Sequence, residues 1–232
     1  KNPADARAFF TAWKVAAEGQ ISTDADIFFF PTALSLEATS QSLQGSAFKF
    51  GSQNCFFETE GAYTGEISAS HVQSVGATAV LIGHSERRAL FNENDQMISK
   101  KIQLVQKQGL IPFLCIGETL PQREAGQTLK VLSEQLKQDL EYADTAKKVV
   151  VAYEPVWAIG TGKVAEPAQI AEAHLFIKQQ LKDLGFENVA VPYGGSVKPE
   201  KASELIQIPN VDGFLVGGAS LEVPSFLKIC QA

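Results

Sequence analysis

Apolar, largely β-branched runs alternate with amphipathic stretches from one end of the chain to the other. This alternation restricts the possible folds more than any other feature of the sequence. Seven runs read as strands, at residues 26–30, 48–53, 78–82, 110–116, 149–153, 189–193 and 213–216. Continuous runs of this kind are expected where both faces of a strand are buried, as in a parallel sheet covered by helices. The segments between them carry helical spacing. Asn2-Pro3 reads as an N-cap followed by proline at the first helical position, and Phe9, Phe10, Trp13, Ala16 and Ala17 follow on one face. Val131, Leu132, Leu136 and Leu140 form a second stripe. A third helix starts at Glu166-Pro167, carries Ile170, Ile177, Leu181 and Leu184, and stops at Gly185.

Serial strand–helix units imply a parallel sheet with helices outside. No linker, low-complexity tract or shift in composition divides the chain, so one domain over residues 1–232 is expected. An eight-fold (β/α) barrel needs one more strand than the seven runs supply, and its natural place is ahead of Lys1. An open doubly wound sheet is the structural alternative, but no early G-x-G-x-x-G turn supports it.

The formal net charge is −6 and the positive residues do not cluster, which argues against a nucleic-acid surface. An anionic ligand would have to be held by local groups. No apolar run approaches the ~20 residues of a membrane span, and no signal-peptide pattern opens the chain. Cys55, Cys115 and Cys230 are odd in number and widely spaced. They suggest neither a metal site nor a disulfide frame, and a reducing, cytoplasmic compartment is the simplest expectation.

The run at 149–153 ends in Glu154, then Pro155, then the glycine-containing stretch Val156-Trp157-Ala158-Ile159-Gly160-Thr161-Gly162-Lys163. A carboxylate at the carboxyl end of a parallel strand lies where barrels place their chemistry. The stiff start and flexible middle of the loop suit a hinged lid. The plainer alternative is an ordinary strand-to-helix connection. His84 ends another strand and precedes what reads as a first helical turn, Ser85-Glu86-Arg87-Arg88. A helix N-terminus disfavours an imidazolium, and a neutral imidazole there can donate to a substrate carbonyl and stabilise an enediolate. The alternative is a histidine that only caps a helix, the reading given to His71 and His174. The Ser85–Arg88 charges read either as a surface ion-pair cluster, worth little energetically, or as placing Glu86 beside the site.

Tyr193-Gly194-Gly195-Ser196 and Val216-Gly217-Gly218-Ala219-Ser220 follow consecutive late strands. Paired glycines either let backbone N–H groups approach a phosphate or make tight turns of positive φ. The long loop around Phe56, Phe57, Tyr63 and Thr64 offers an aromatic patch suited to a subunit interface. Cys115-Ile116-Gly117-Glu118 and Arg123 are assigned to loop structure and ion pairing.

Taken together, Gly83-His84-Ser85-Glu86-Arg87-Arg88, Cys115-Ile116-Gly117-Glu118, Tyr153-Glu154-Pro155-Val156-Trp157 with its following loop, Tyr193-Gly194-Gly195-Ser196 and Asp212 to Ser220 resemble the triosephosphate isomerase family in order and spacing. The resemblance extends over essentially the whole chain. It implies a (β/α)8 barrel that interconverts dihydroxyacetone phosphate and D-glyceraldehyde 3-phosphate, a step of glycolysis and gluconeogenesis, without metal or cofactor. By the same resemblance Glu154 is the base, His84 the electrophile and Glu86 a supporting carboxylate. Residues 155–165 form the closing lid. Gly160, Ser196, Gly217 and Gly218 hold the phosphate, and Thr64 reaches into a partner subunit of a homodimer. The family's first strand ends in Asn-x-Lys, which this chain lacks. Lys1-Asn2-Pro3 matches the family just after that lysine, and Lys14 lies inside a helical pattern behind Thr11-Ala12. The missing strand is therefore expected ahead of Lys1. A catalytically silent, phosphate-holding barrel is the alternative if it is absent.

Overall fold

The computed structural model describes residues 1–22, 24–159 and 164–232. The chain runs α1 (Pro3–Ala17), β1 (Phe28–Phe29), α2 (Leu36–Leu43), β2 (Lys49–Ser52), α3 (Ala69–Ser74), β3 (Ala79–Ile82), α4 (Ser85–Leu90) and α5 (Asp95–Lys107). It continues through β4 (Ile111–Ile116), α6 (Leu120–Glu124), α7 (Thr128–Asp139), β5 (Val150–Tyr153), α8 (Pro167–Asp183), α9 (Ala202–Leu205) and α10 (Val223–Cys230). Local chemistry sets the helix ends. Asp5 N–H donates to Asn2 Oδ1 at 2.9 Å and Asn2 N–H donates to Asp5 Oδ2 at 3.0 Å. Pro3 sits in the first turn, where its missing N–H costs nothing. At the far end of α8, Gly185 takes φ +86°, the left-handed conformation that stops a helix.

The five strands form one parallel sheet in the order β1-β2-β3-β4-β5. The runs at 189–193 and 213–216 were expected as full strands. Instead they join the sheet through isolated parallel bridges, Val150 to Ala190, Tyr153 to Tyr193 and Tyr193 to Phe214. Pro192 has no N–H to give a ladder, and the Val191 N–H is taken by the Asp212 carboxylate at 2.7 Å. Backbone bonds still hold both segments in place: Tyr153 N–H donates to Pro192 O at 3.0 Å and Leu215 N–H to Tyr193 O at 2.9 Å.

The sheet is curled. The rings of Phe28 and Phe30, at the β1 end, lie 4.9 and 5.1 Å from the ring of Phe113 on β4, although two strands separate them in the sheet. Contact at that range requires the strands to close around an interior. Ala79, Leu81, Phe113, Cys115 and Ala152 form that interior, and Leu215 from the last bridged segment packs on it. The alternating residues Val80, Ile82, Leu114, Ile116, Val151 and Tyr153 point outward into the larger core under the helices. The architecture is a half-barrel of five parallel strands, extended by the two bridged segments and wrapped in helices, as in the TIM barrel.

Aromatic packing joins the two ends of the chain. Trp13 is fully buried, with Phe29 at 5.3 Å and Phe226 of α10 at 5.1 Å. Truncating such a side chain to alanine costs about 3–5 kcal/mol.

Candidate active site

Gly83 follows β3 with φ +72°, and this left-handed turn swings the chain so that His84 becomes the N-cap of α4. His84 Nδ1 accepts the N–H of Glu86 at 3.3 Å. A backbone N–H can only donate, so Nδ1 offers its lone pair and Nε2 is the ring nitrogen left to act as donor. That Nε2 faces Glu154 Oε1 at 3.2 Å. Glu154 leaves the carboxyl end of β5 and is only 2% exposed. Its Oε2 accepts the Ser85 N–H at 3.2 Å, and its own N–H donates to Ile116 O at 2.8 Å. Burial pushes the Glu154 pKa up, against the pull of His84, the Ser85 amide, Cys115 and Arg88. A raised carboxylate that still keeps donors around it suits a base working near neutrality.

Two glycines let the chain pack against this carboxylate. A Cβ on Gly117 would lie 1.7 Å from the carbonyl oxygen of Glu154, and one on Gly194 would lie 2.9 Å from Glu154 Cγ. Neither position has a left-handed φ. The requirement comes from close approach between strands, which a sequence pattern does not reveal. Gly194 and Gly195 therefore do not make the positive-φ turn offered as an alternative. Gly217 and Gly218 lack positive φ as well, and a Cβ on either would meet nothing within 4 Å. Their backbone faces open space at the start of a short 3-10 turn, Gly218–Leu221, ahead of α10. That is the arrangement a phosphate cradle needs. Ser196 is half-buried beyond the Gly194-Gly195 pair. Gly160 lies outside the described residues.

The start of the loop expected as a lid is anchored. Fully buried Glu118 accepts from Trp157 Nε1 at 2.9 Å, from Tyr153 OH at 3.1 Å and from Arg123 at 3.2 Å. The ion pairing assigned to this stretch is thus present, and it also fixes Trp157.

The Ser85–Arg88 segment is not a surface ion-pair cluster. Arg87 pairs with buried Glu93 at 2.5 Å, and Arg88 turns inward to the fully buried Asp139 at 2.6 Å. Only Glu86 fits the surface description. Its side chain is 71% exposed, with Oε2 3.9 Å from His84 Nδ1. His71 sits in the first turn of α3 and caps it through Nδ1, and His174 is fully buried on α8. Thr64 is exposed at the tip of the long loop, whose base is closed by Phe56 N–H donating to Ile67 O at 2.8 Å. Phe56 stacks on Phe57 at 4.2 Å and touches Tyr63 at 4.6 Å. Among the described residues no three His, Cys, Asp or Glu side chains come together as a metal site. No helix among them is long and apolar enough to cross a membrane.

A desolvated carboxylate against an imidazole donor, at the carboxyl ends of β5 and β3, defines an α/β-barrel enzyme built to move a proton beside a carbonyl group. Comparison with known proteins narrows the class. The sequence profile described as triosephosphate isomerase matches residues 1–232. A triosephosphate isomerase of Bdellovibrio bacteriovorus is 55% identical over 231 residues, spanning 100% of this chain and 95% of the relative. Those of Hydrogenovibrio crunogenus and Chlorobium chlorochromatii are 48% and 44% identical, covering 87% and 94% of this chain and 82% and 88% of their own. The chain belongs to the triosephosphate isomerase family.

Proposed function

We infer that this protein interconverts dihydroxyacetone phosphate and D-glyceraldehyde 3-phosphate, with Glu154 as the base and His84 as the electrophile. The observation that carries the assignment of roles is the 3.2 Å contact between Glu154 Oε1 and His84 Nε2. The alternative of a silent, phosphate-holding barrel finds no support in the fold or the relatives.

The chemistry follows from the hydrogen bonds. With Nδ1 accepting from the Glu86 amide, His84 Nε2 is the nitrogen that donates to the substrate carbonyl oxygen and stabilises an enediolate. The Glu154 carboxylate takes the proton from the carbon beside that carbonyl and returns it to the neighbouring carbon. In the structure these two groups touch each other, so substrate must enter between them and separate them. The contacts to the Ser85 amide and to His84 are then exchanged for the reacting C–H. Glu86 supports the imidazole through its backbone amide, which donates to Nδ1; its exposed carboxylate stands 3.9 Å from that accepting nitrogen and makes no hydrogen bond to it. Gly217 and Gly218, with Ser196 and Gly160, hold the phosphate. Residues 155–165 close over it from the Glu118–Trp157 anchor, excluding the water that would weaken the base and release phosphate from the intermediate.

The loop bearing Phe56, Phe57, Tyr63 and Thr64 forms the contact of a homodimer, because an aromatic cluster with Tyr63 exposed and Phe56 and Phe57 only half-buried favours a partner surface over water. The chain acts as one barrel domain in the cytoplasm.

The test is isomerase turnover, read by coupling dihydroxyacetone phosphate formation to its NADH-dependent reduction. Glu154→Asp withdraws the carboxylate by one methylene and should lower kcat on the order of a hundredfold with little change in KM. A variant whose loss lies wholly in KM would remove Glu154 from the role of base.

A further inference from the structure

We propose that Arg88 is a positioning residue for the proton-transfer pair: its guanidinium ties the end of β3, which leads into His84, to the end of β4, whose Ile116 carbonyl accepts the Glu154 N–H, and so sets the separation of base and electrophile. The proposal rests on the isomerase reading above.

The paired register between these strands runs from Ala79–Ile111 to Ile82–Leu114 and ends there. The next carbonyls, of Gly83 and Cys115, have moved beyond that ladder. Arg88 takes over. Its Nε donates to Gly83 O at 2.9 Å and its Nη2 to Cys115 O at 3.1 Å. One planar group thus spans the gap at the depth of the active site. Gly83 directly precedes His84, and Ile116, directly after Cys115, accepts the Glu154 N–H at 2.8 Å. A Cβ on Gly83 would lie 3.0 Å from Arg88 Nη2 and 3.3 Å from Cys115 O, so the glycine leaves the guanidinium its space.

The guanidinium plane is fixed from the other side. Nη1 donates to Asp95 Oδ1 and Nη2 to Asp139 Oδ2, both at 2.6 Å. Asp139 is fully buried on α7, and its Oδ1 has no hydrogen-bond partner. Such a group has given up its water contacts, and Arg88 supplies a hydrogen bond in their place. Arg88 itself is 17% exposed. Four acceptors in a fork suit arginine and not lysine, whose donors radiate from one point. The positive charge also favours the ionised form of Glu154.

Arg88→Lys keeps the charge and loses the fork. In the folded variant kcat should fall about tenfold or more, while KM and the inhibition constant of inorganic phosphate stay within about threefold. Wild-type turnover measured alongside keeps this separate from the function itself, since an inactive wild type would strike the isomerase reading and not the bridge. A folded Arg88→Lys with kcat within about threefold of wild type would overturn the proposal, as would kcat, KM and phosphate affinity declining together. If Arg88→Lys does not fold, Asp95→Asn decides, because that side chain is 30% exposed and its loss is mild. A fall in kcat of about threefold at unchanged KM supports the bridge, and an unchanged kcat overturns it.

Discussion

Gly194→Ala tests the placement of the catalytic base with a single methyl group. The new Cβ would lie 2.9 Å from Glu154 Cγ, 3.3 Å from Tyr153 O and 3.6 Å from Leu215 Cβ. Carbon–carbon contacts settle at about 3.5–4.0 Å, so the glutamate side chain must yield by roughly 0.6–1.1 Å. It has little room to do so, being 2% exposed with its carboxylate bound to His84 at 3.2 Å and to Ser85 N–H at 3.2 Å. The backbone adds no cost, because Gly194 is not in a left-handed conformation. A displacement near 1 Å at a reacting group costs on the order of a hundredfold, equivalent to about 2.7 kcal/mol of barrier. Steady-state turnover in both directions, with a thermal melt to show that the barrel is intact, gives the answer. We expect kcat to fall between about tenfold and a hundredfold at nearly constant KM. A folded Gly194→Ala enzyme within about twofold of wild-type kcat would refute the reasoning, since the carboxylate would then tolerate a shift that proton transfer should not.

Gly218→Val places bulk where nothing lies within 4 Å, so it should raise KM and the inhibition constant of inorganic phosphate by about tenfold or more while changing the melting temperature little; unchanged phosphate affinity would place the cradle elsewhere. His174 is held neutral, its pKa pushed from 6.5 down to about 4 chiefly by burial. Between those values the unfolded chain binds a proton there that the folded chain refuses, so stability is lost as pH falls through that window, by about 3 kcal/mol in all. Urea midpoints at pH 7 and 4.5 should therefore drop less in His174→Gln than in wild type, and parallel drops would contradict the assignment. Sedimentation should find the wild-type chain at twice its monomer mass, and Tyr63→Asp combined with Phe57→Asp should shift it toward the monomer; an unchanged dimer would move the interface off this loop.

The chain's own pattern determined the succession of elements, the helix caps at Asn2 and Glu166, the glutamate at the end of β5 and the histidine at the start of α4. Each is written in a local periodicity or in a neighbouring residue. What the local pattern could not decide depended on residues far apart in the chain. The runs at 189–193 and 213–216 read as strands by composition, yet Pro192 and the Asp212 side chain divert the bonds that would make them so. Arg87 and Arg88 admitted a surface reading beside the functional one, because alternating charge is the usual signature of a solvated turn. Their inward course is set by buried carboxylates 6 and 51 residues away, Glu93 and Asp139. Gly194 read as half of a phosphate-holding pair and Gly117 as loop structure; their necessity beside Glu154 arises only where another segment's backbone or side chain passes within van der Waals reach. Desolvation and close approach are properties of neighbours in space, and only the folded chain brings Glu154 and His84 into the contact on which the chemistry depends.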